Sequence, residues 1–353
     1  MPVSPELFDA LPMVAPGTAL RDGLDRVLQA RRGTLVVIGD GPGVLEISTG
    51  GFLLDTEFTP QRLSELAKMD GAIVLTKDAK RIARANVHLT PSSSVVTSET
   101  GTRHRTAERV ARSLGVPVIS VSHAMGVITL FMGDDRHSLR PTAALIDQAD
   151  QALDTLQRFR SRFDGGLRSL NAAEVVDAAT VGQVVEIAQS AETMLRINNL
   201  LGEIVVELGD RGRLVELQRA EIVGDLVAKL SSVIEDYAPL ESGLIPRSEA
   251  IRARLGAIAL DEVGDPLIIA AAMGLSPEFE SGVSPRGYRF LEQIPKLPRE
   301  QLEALVEQFG TLSRLLSAET SDIAAIPGFG EAKARSLVAS VARMSERAQF
   351  SGR

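Results

Sequence analysis

The strongest constraint on this chain is a change of texture near Thr142. Before it, short apolar runs rich in β-branched residues alternate with glycine and proline turns. After it, the stretches 142–163, 171–207 and 213–237 carry apolar residues at a helical period with few turn signals. Leu145, Ala149, Ala152, Leu153 and Leu156 recur at that spacing, and so do Val181, Val184, Val185, Ile187 and Ala188. At 353 residues the chain is too long for one ordinary core. The expected fold is an α/β N-terminal domain with a mixed central sheet (1–140), an all-helical middle domain (141–284) and a small all-helical tail (285–353).

The first part reads in order. A helix is expected over about Thr18–Ala30, with Leu20, Leu24, Val27 and Leu28 on one face. Thr34–Gly39 is a buried strand, Asp40–Gly43 a turn, and Val44–Ile47 and Gly51–Leu54 short strands. Thr59 should cap a helix running to Met69, with Pro60 at its first position. Ile73–Leu75, Val116–Val121 and Val127–Met132 are apolar strands. Arg81–Leu89 alternates and reads as half-exposed. Several neighbouring strands are too close for crossover helices, so the sheet should be mixed.

Within this part, Gly101–Arg109 (GTRHRTAER) follows a polar run, Thr90–Thr100, and opens a helix carrying Ala107, Val110, Ala111 and Leu114. A helix entrance with basic side chains favours an anion. Residues two apart on a helix diverge by roughly 200°. Arg103 and Arg105 therefore face one phosphate only if the run is still loop; otherwise they serve different partners. A solvated basic helix start is the plain alternative.

Cysteine is absent, which excludes disulfides and thiolate metal sites and fits a cytoplasmic location. The start holds two acids and four prolines in sixteen residues, so no secretory signal is expected. No run approaches the roughly 18 apolar residues of a membrane span. The net charge of −8 argues against a surface that coats nucleic acid. From Pro285 onward, however, ten Lys and Arg face eight Asp and Glu, a mildly basic tail on an acidic body.

That tail holds two similar units, Phe290–Phe309 and Leu316–Val341. The second turns through Pro327-Gly328-Phe329-Gly330, flanked by Ile323, Ala332, Ala334 and Leu337, and resembles a helix-hairpin-helix. Gly328 and Gly330 permit a tight turn, the helix from Glu331 offers N–H groups to a phosphate, and Lys333 and Arg335 add charge. Such a contact would ignore base sequence. The first unit, with Ile294-Pro295-Lys296-Leu297-Pro298, lacks the second glycine and reads as a degenerate copy.

Asp70-Gly71-Ala72 and Arg103-His104-Arg105 together match the two signature motifs of diadenylate cyclases. With the helical middle and the hairpin tail, the chain resembles the DNA-integrity-scanning branch of that family along essentially its whole length. The resemblance implies condensation of two ATP into cyclic di-AMP with release of two pyrophosphates, and cytoplasmic, DNA-regulated work on branched, Holliday-junction-like DNA. It implies Asp70, Arg103, His104 and Arg105 as catalytic. Gly71, Ala72, Leu89, Thr102, Thr106 and Ser122 would join the RHR residues around ATP, and Asp70 would hold Mg²⁺ or Mn²⁺. Leu89 would recognise adenine through its backbone, and Gly71 would let the nucleotide approach the main chain. The product is twofold symmetric, so the site should lie between facing subunits, and the family implies an octamer. Arg103 and Arg105 could then touch two nucleotides.

Asp70 opens its strand, whereas open α/β sheets usually bind ligands beyond carboxyl ends, so the resemblance selects it rather than the general rule. Some relatives are more basic in the turn after Ser122, here His123-Ala124-Met125. His88 reads as surface, His123 as structural, His137 as loop surface, and Asn198-Asn199 as a kink or a buried pair. Two readings stay open: a cyclase, or a DNA-binding scaffold whose nucleotide domain binds ATP without turnover. A strand-exchange ATPase lacks its P-loop.

Overall fold

The computed structural model describes residues 4–239, 248–295 and 297–351. Contacts group them into two units. One holds the residues up to Gln151 together with Leu200–Gln218; the other holds Ala152–Asn199 and the residues from Arg219 onward.

The first unit is built on an eight-stranded sheet. Its strands are β1 (Thr34–Ile38), β2 (Ser48–Thr49), β3 (Phe52–Glu57), β4 (Ala72–Leu75), β5 (Arg81–Leu89), β6 (Val118–Ser122), β7 (Val127–Met132) and β8 (Asp135–Leu139). The order is β2-β5-β4-β1-β6-β7-β8, and β3 also pairs with β5. Only β1 and β4 run parallel, so the sheet is mixed as expected. Helices α1 (Pro5–Ala10), α2 (Ala19–Gln29), α3 (Pro42–Glu46), α4 (Pro60–Leu66) and α5 (Thr102–Leu114) surround it.

Each helix has a local cause. Thr18 and Thr59 cap α2 and α4 by accepting from the backbone N–H of Arg21 and Arg62. Gly115 ends α5 in the left-handed region at φ 61°. Leu24, Val27 and Leu63 close one face of the sheet over Val36, Ile73 and Ile119. Ala107, Val110 and Ala111 of α5 close the other face over Val37, Val74 and Phe131. Each such fully buried large side chain contributes roughly 2 kcal/mol.

Two expectations need correction. Val44–Ile47 is not a strand: Pro42 sits in the first turn after Gly41 and starts the short helix α3. Arg81–Leu89 alternates as expected: Ala83, Ala85, Val87 and Leu89 are buried, and Arg84, Asn86 and His88 between them are more open. His137 is not loop surface. The polar run Asp135–Leu139 pairs with β7 in full register, and pairing outweighs its composition.

Residue 137 also meets a buried acid. Glu207, 3% exposed, accepts from Arg140 Nη2 at 2.7 Å and from the Arg140 backbone N–H at 3.1 Å. His137 Nε2 lies 3.2 Å away, off the line of a well-formed hydrogen bond. Burial pushes the Glu207 carboxyl up, but the neighbouring His137 ring and the Arg140 donors outweigh it and hold it at about 2. A depressed acid stabilises the fold above its unfolded pKa of about 4.3, and that stability is lost as pH falls towards about 2. Glu207→Gln should therefore lower the stability of the first unit at neutral pH by about 3 kcal/mol. It should also flatten the acid limb of a thermal-midpoint-against-pH curve. A variant with the wild-type limb would show that Glu207 does not set it.

The helical middle comprises α6 (Thr142–Val175), α7 (Val181–Leu208), α8 (Arg213–Val223), α9 (Leu226–Tyr237), α10 (Ser248–Gly256) and α11 (Pro266–Met273). α6 runs unbroken through Gly165-Gly166, which lie between the helical stretches expected over 142–163 and 171–207. α7 likewise continues through Asn198-Asn199. Asn199 is exposed, and Asn198 accepts from Arg219 Nη1 at 3.1 Å. No helix among the described residues is long and apolar enough to cross a membrane.

The tail holds α12 (Tyr288–Glu292), α13 (Arg299–Phe309), α14 (Leu312–Leu316), α15 (Thr320–Ala324) and α16 (Glu331–Ser351) around a core that includes Tyr288, Leu305, Leu312 and Ala334. Lys296, in the first expected hairpin, lies outside the described residues.

Candidate active site

The helix entrance is settled by geometry. α5 begins at Thr102 with Gly101 as its cap residue, so Arg103 and Arg105 are both helical and do diverge. Arg103 Nη2 donates to Asp70 Oδ1 at 2.9 Å, and the Asp70 side chain is 96% exposed. Arg105 is exposed and forms no ion pair among the described residues. His104 turns inward. It is 8% exposed, its ring stands edge-on to Phe131 with centroids 6.1 Å apart, and its Nε2 has no hydrogen-bond partner among the described residues.

The polar run before α5 is held from the helix itself. Glu108 accepts from the Thr97 hydroxyl, from the Ser98 N–H at 3.0 Å and hydroxyl at 3.1 Å, and from the Glu99 N–H at 3.3 Å. Burial pushes its carboxyl up, but these donors and Arg112 hold it below the usual range. Arg109 Nε binds the Val95 carbonyl at 3.0 Å. Thus the second half of GTRHRTAER fixes the loop, while Thr102 and Arg103 line a cleft and His104 is buried.

Asp70 precedes β4, and Ala72 is buried within it, paired with Val87. Gly71 is required by the chain's own packing. A Cβ there would lie 2.3 Å from the carbonyl carbon of Asn86, at an irregular step of β5 where Asn86 takes φ 54°. Leu89 ends β5 and is buried beneath α5. Ser122 ends β6, half-buried, and its Oγ accepts from the Met125 N–H at 3.4 Å.

A cleft of about 480 Å³ gathers Asp70, Thr102, Arg103, His104 and Ser122. Gly71, Ala72, Leu89, Arg105 and Thr106 are not on its wall, and Thr106 is half-buried. The cleft also holds three cations that the sequence reading missed: Arg31, Arg32 and Lys68. The signal was available as Arg31-Arg32-Gly33 directly before the first strand and Lys68 two residues before Asp70. Gly33 makes room for Arg103: a Cβ there would sit 2.7 Å from Arg103 Nη1.

In the tail, Gly328 takes φ 89° at the hairpin, a conformation that disfavours other residues. Phe329 is buried, and α16 starts at Glu331 with Lys333 and Arg335 exposed. Ala332, expected among the flanking apolar contacts, is exposed; Ile323, Ala334 and Leu337 do the packing. Arg335 lies 3.9 Å from Glu331 across a solvent-exposed turn, so the pair is weak and both arginine and lysine stay accessible.

A mixed-sheet domain with a cationic cleft, a helical middle and a tandem hairpin tail defines a class of multidomain nucleotide-binding proteins. Residues 21–136 match the family described as DisA bacterial checkpoint controller nucleotide-binding, 139–281 the DisA linker region, and 288–343 the SAM-like helix-hairpin-helix tandem. The chain is 43% identical to the DNA integrity scanning protein DisA of Streptomyces griseus subsp. griseus, over 96% of this chain and 91% of that protein. It is 44% identical to that of Kineococcus radiotolerans (96% and 95% covered) and 43% identical to that of Symbiobacterium thermophilum (97% and 96% covered). The chain belongs to the DisA family and is a diadenylate cyclase, a nucleotidyltransferase.

Proposed function

We infer that the cleft joins two ATP molecules into cyclic di-AMP in a cytoplasmic enzyme whose tail senses DNA. The observation that carries this is the convergence of Asp70, Arg103 and Ser122 on one cleft lined by further cations. In each half-reaction an O3′–Pα bond forms, the bond from Pα to the β-phosphate oxygen breaks, and its electron pair leaves with pyrophosphate. The 3′ proton passes to water. The barrier is met by aligning the two groups and neutralising phosphate charge. Arg103 anchors phosphate and steadies Asp70, and Thr102 lies at the exposed helix entrance.

Asp70 is the one carboxylate on the cleft wall, and no cluster of three His, Asp or Glu forms among the described residues. That donor set fits Mg²⁺ or Mn²⁺ held by one carboxylate and by the substrate's own phosphates, not by a closed cage. Such a cation would supply charge neutralisation at the reacting phosphate. Two clefts facing across a twofold axis would bring two ATP molecules together, in an octamer, and Arg105 would reach the partner's nucleotide.

The hairpin at 327–330 and α16 bind branched DNA through phosphates, and DNA engagement lowers synthesis. A four-way junction added to the reaction should reduce cyclic di-AMP output; an unchanged rate would reject that half of the proposal. Lys333→Glu with Arg335→Glu should weaken junction binding by at least 10-fold at 0.1 M salt and cut the salt dependence by about two phosphate contacts. Unchanged affinity would sink the assignment of this hairpin.

A further inference from the structure

We propose that Arg31 and Arg32 form the binding site for the β- and γ-phosphates that leave as pyrophosphate. The proposal rests on the cyclase reading of the cleft and adds residues to which no motif assigns a role. Both side chains line the cleft, both are exposed, and neither forms an ion pair or hydrogen bond among the described residues. With Lys68 and Arg103 they make four cations around the single carboxylate of Asp70. Lys68 is partly neutralised by Glu65 at 2.7 Å, and Arg103 by Asp70 at 2.9 Å. The uncompensated charge of the cleft is therefore concentrated on the doublet. Like charges gathered without counter-charge repel, and a polyphosphate relieves that repulsion while accepting several charge-assisted bonds.

The backbone presents the doublet deliberately. The Arg32 N–H donates to the Val27 carbonyl and the Arg31 N–H to the Leu28 carbonyl, each at 3.0 Å, which closes α2 in a Schellman turn. Arg31 occupies the left-handed position of that turn at φ 54°, where glycine is usual and a longer side chain is strained. The turn stops the helix and leaves two adjacent guanidinium groups at the cleft. Gly33 then lets the Arg103 guanidinium lie against the same segment. Arg103 bridges from the doublet to Asp70, so the cleft runs from a pyrophosphate end at Arg31 and Arg32 to a reacting end at Asp70.

The test uses the full chain with Arg31→Asn and Arg32→Gln, since asparagine tolerates the left-handed position, and inorganic pyrophosphate and AMP as calorimetric probes. Pyrophosphate affinity should fall on the order of 100-fold, about 10-fold for each arginine. AMP affinity should stay within about twofold, because AMP carries neither distal phosphate. The thermal midpoint should not move, and Arg31→Lys with Arg32→Lys should recover most of the pyrophosphate affinity. Wild-type pyrophosphate affinity in the neutral variant, or an equal loss for AMP, would overturn the proposal. Wild-type cyclic di-AMP synthesis with an unchanged ATP KM in the neutral variant would overturn this assignment alone. Pyrophosphate binding lost in the variant, from a wild-type chain that makes no cyclic di-AMP, would support the anion site and overturn the cyclase reading.

Discussion

Asp70→Asn is expected to lower cyclic di-AMP synthesis on the order of 10³-fold while leaving the fold intact. Asp70 is 96% exposed and touches the rest of the protein through one surface ion pair with Arg103. Pairs of that kind contribute at most about 1 kcal/mol, so the thermal midpoint should barely change. Asparagine keeps the shape and loses the charge. It holds a divalent cation poorly and no longer balances Arg103 beside the reacting phosphate. The loss should fall mainly on kcat, because cations elsewhere on the cleft still hold the phosphates. Synthesis in the variant within a few-fold of wild type would remove Asp70 from the chemistry.

The second large effect lies in the other unit and concerns stability. Arg289→Ala should cost about 3–5 kcal/mol, because it strips the partner from a buried acid. Arg289 is 9% exposed; its Nη1 donates to Glu174 Oε1 at 2.7 Å and its Nη2 to Asn171. Glu174 also accepts from the Tyr237 hydroxyl. Beside it, Asp236 accepts from the backbone N–H groups of Gly287, Tyr288 and Arg289 at 2.8, 2.7 and 3.1 Å, capping α12. This cluster fastens the first helix of the hairpin tail to α6 and α9. Two buried acids around one arginine leave a proton to share. Burial, with Glu174 close by, pushes Asp236 up to about 7.

An acid whose pKa is raised on folding binds its proton more tightly in the folded state. Its favourable contribution is present below the unfolded value of about 3.9 and is lost as pH rises towards about 7. The second unit should therefore gain stability on acidification from pH 7 to about 4, and Asp236→Asn should remove that gain. Arg289→Ala with a midpoint near wild type would show that the cluster does not hold the tail in place.

Local sequence carried much of this architecture. Thr18, Thr59 and Gly115 announce helix ends by capping chemistry alone, and α5 runs from Thr102 to Leu114 as its period indicated. β8 was hidden because Asp135–Leu139 is polar and becomes a strand only by pairing with β7. α3 was hidden because Val44–Ile47 looks β-branched while Pro42 starts a turn of helix. The site was legible in part. Asp70 and Arg103 are 33 residues apart in sequence yet hydrogen-bonded, and only the paired motifs pointed to that contact. Arg31, Arg32 and Lys68 were missed because a cation beside a strand carries no periodicity; its role depends on what the fold brings opposite. The inward turn of His104 and the clamp by Glu108 likewise depend on tertiary packing over Phe131 and the loop before α5.

The central claim is that this cleft performs chemistry rather than only holding ATP. The direct measurement is product analysis of the purified full chain with ATP and Mg²⁺ or Mn²⁺, by mass spectrometry and pyrophosphate release. The expected result is cyclic di-AMP with two pyrophosphates for each product molecule. ATP recovered unchanged from a chain that binds it would contradict the account and leave a DNA-binding scaffold with a silent nucleotide domain.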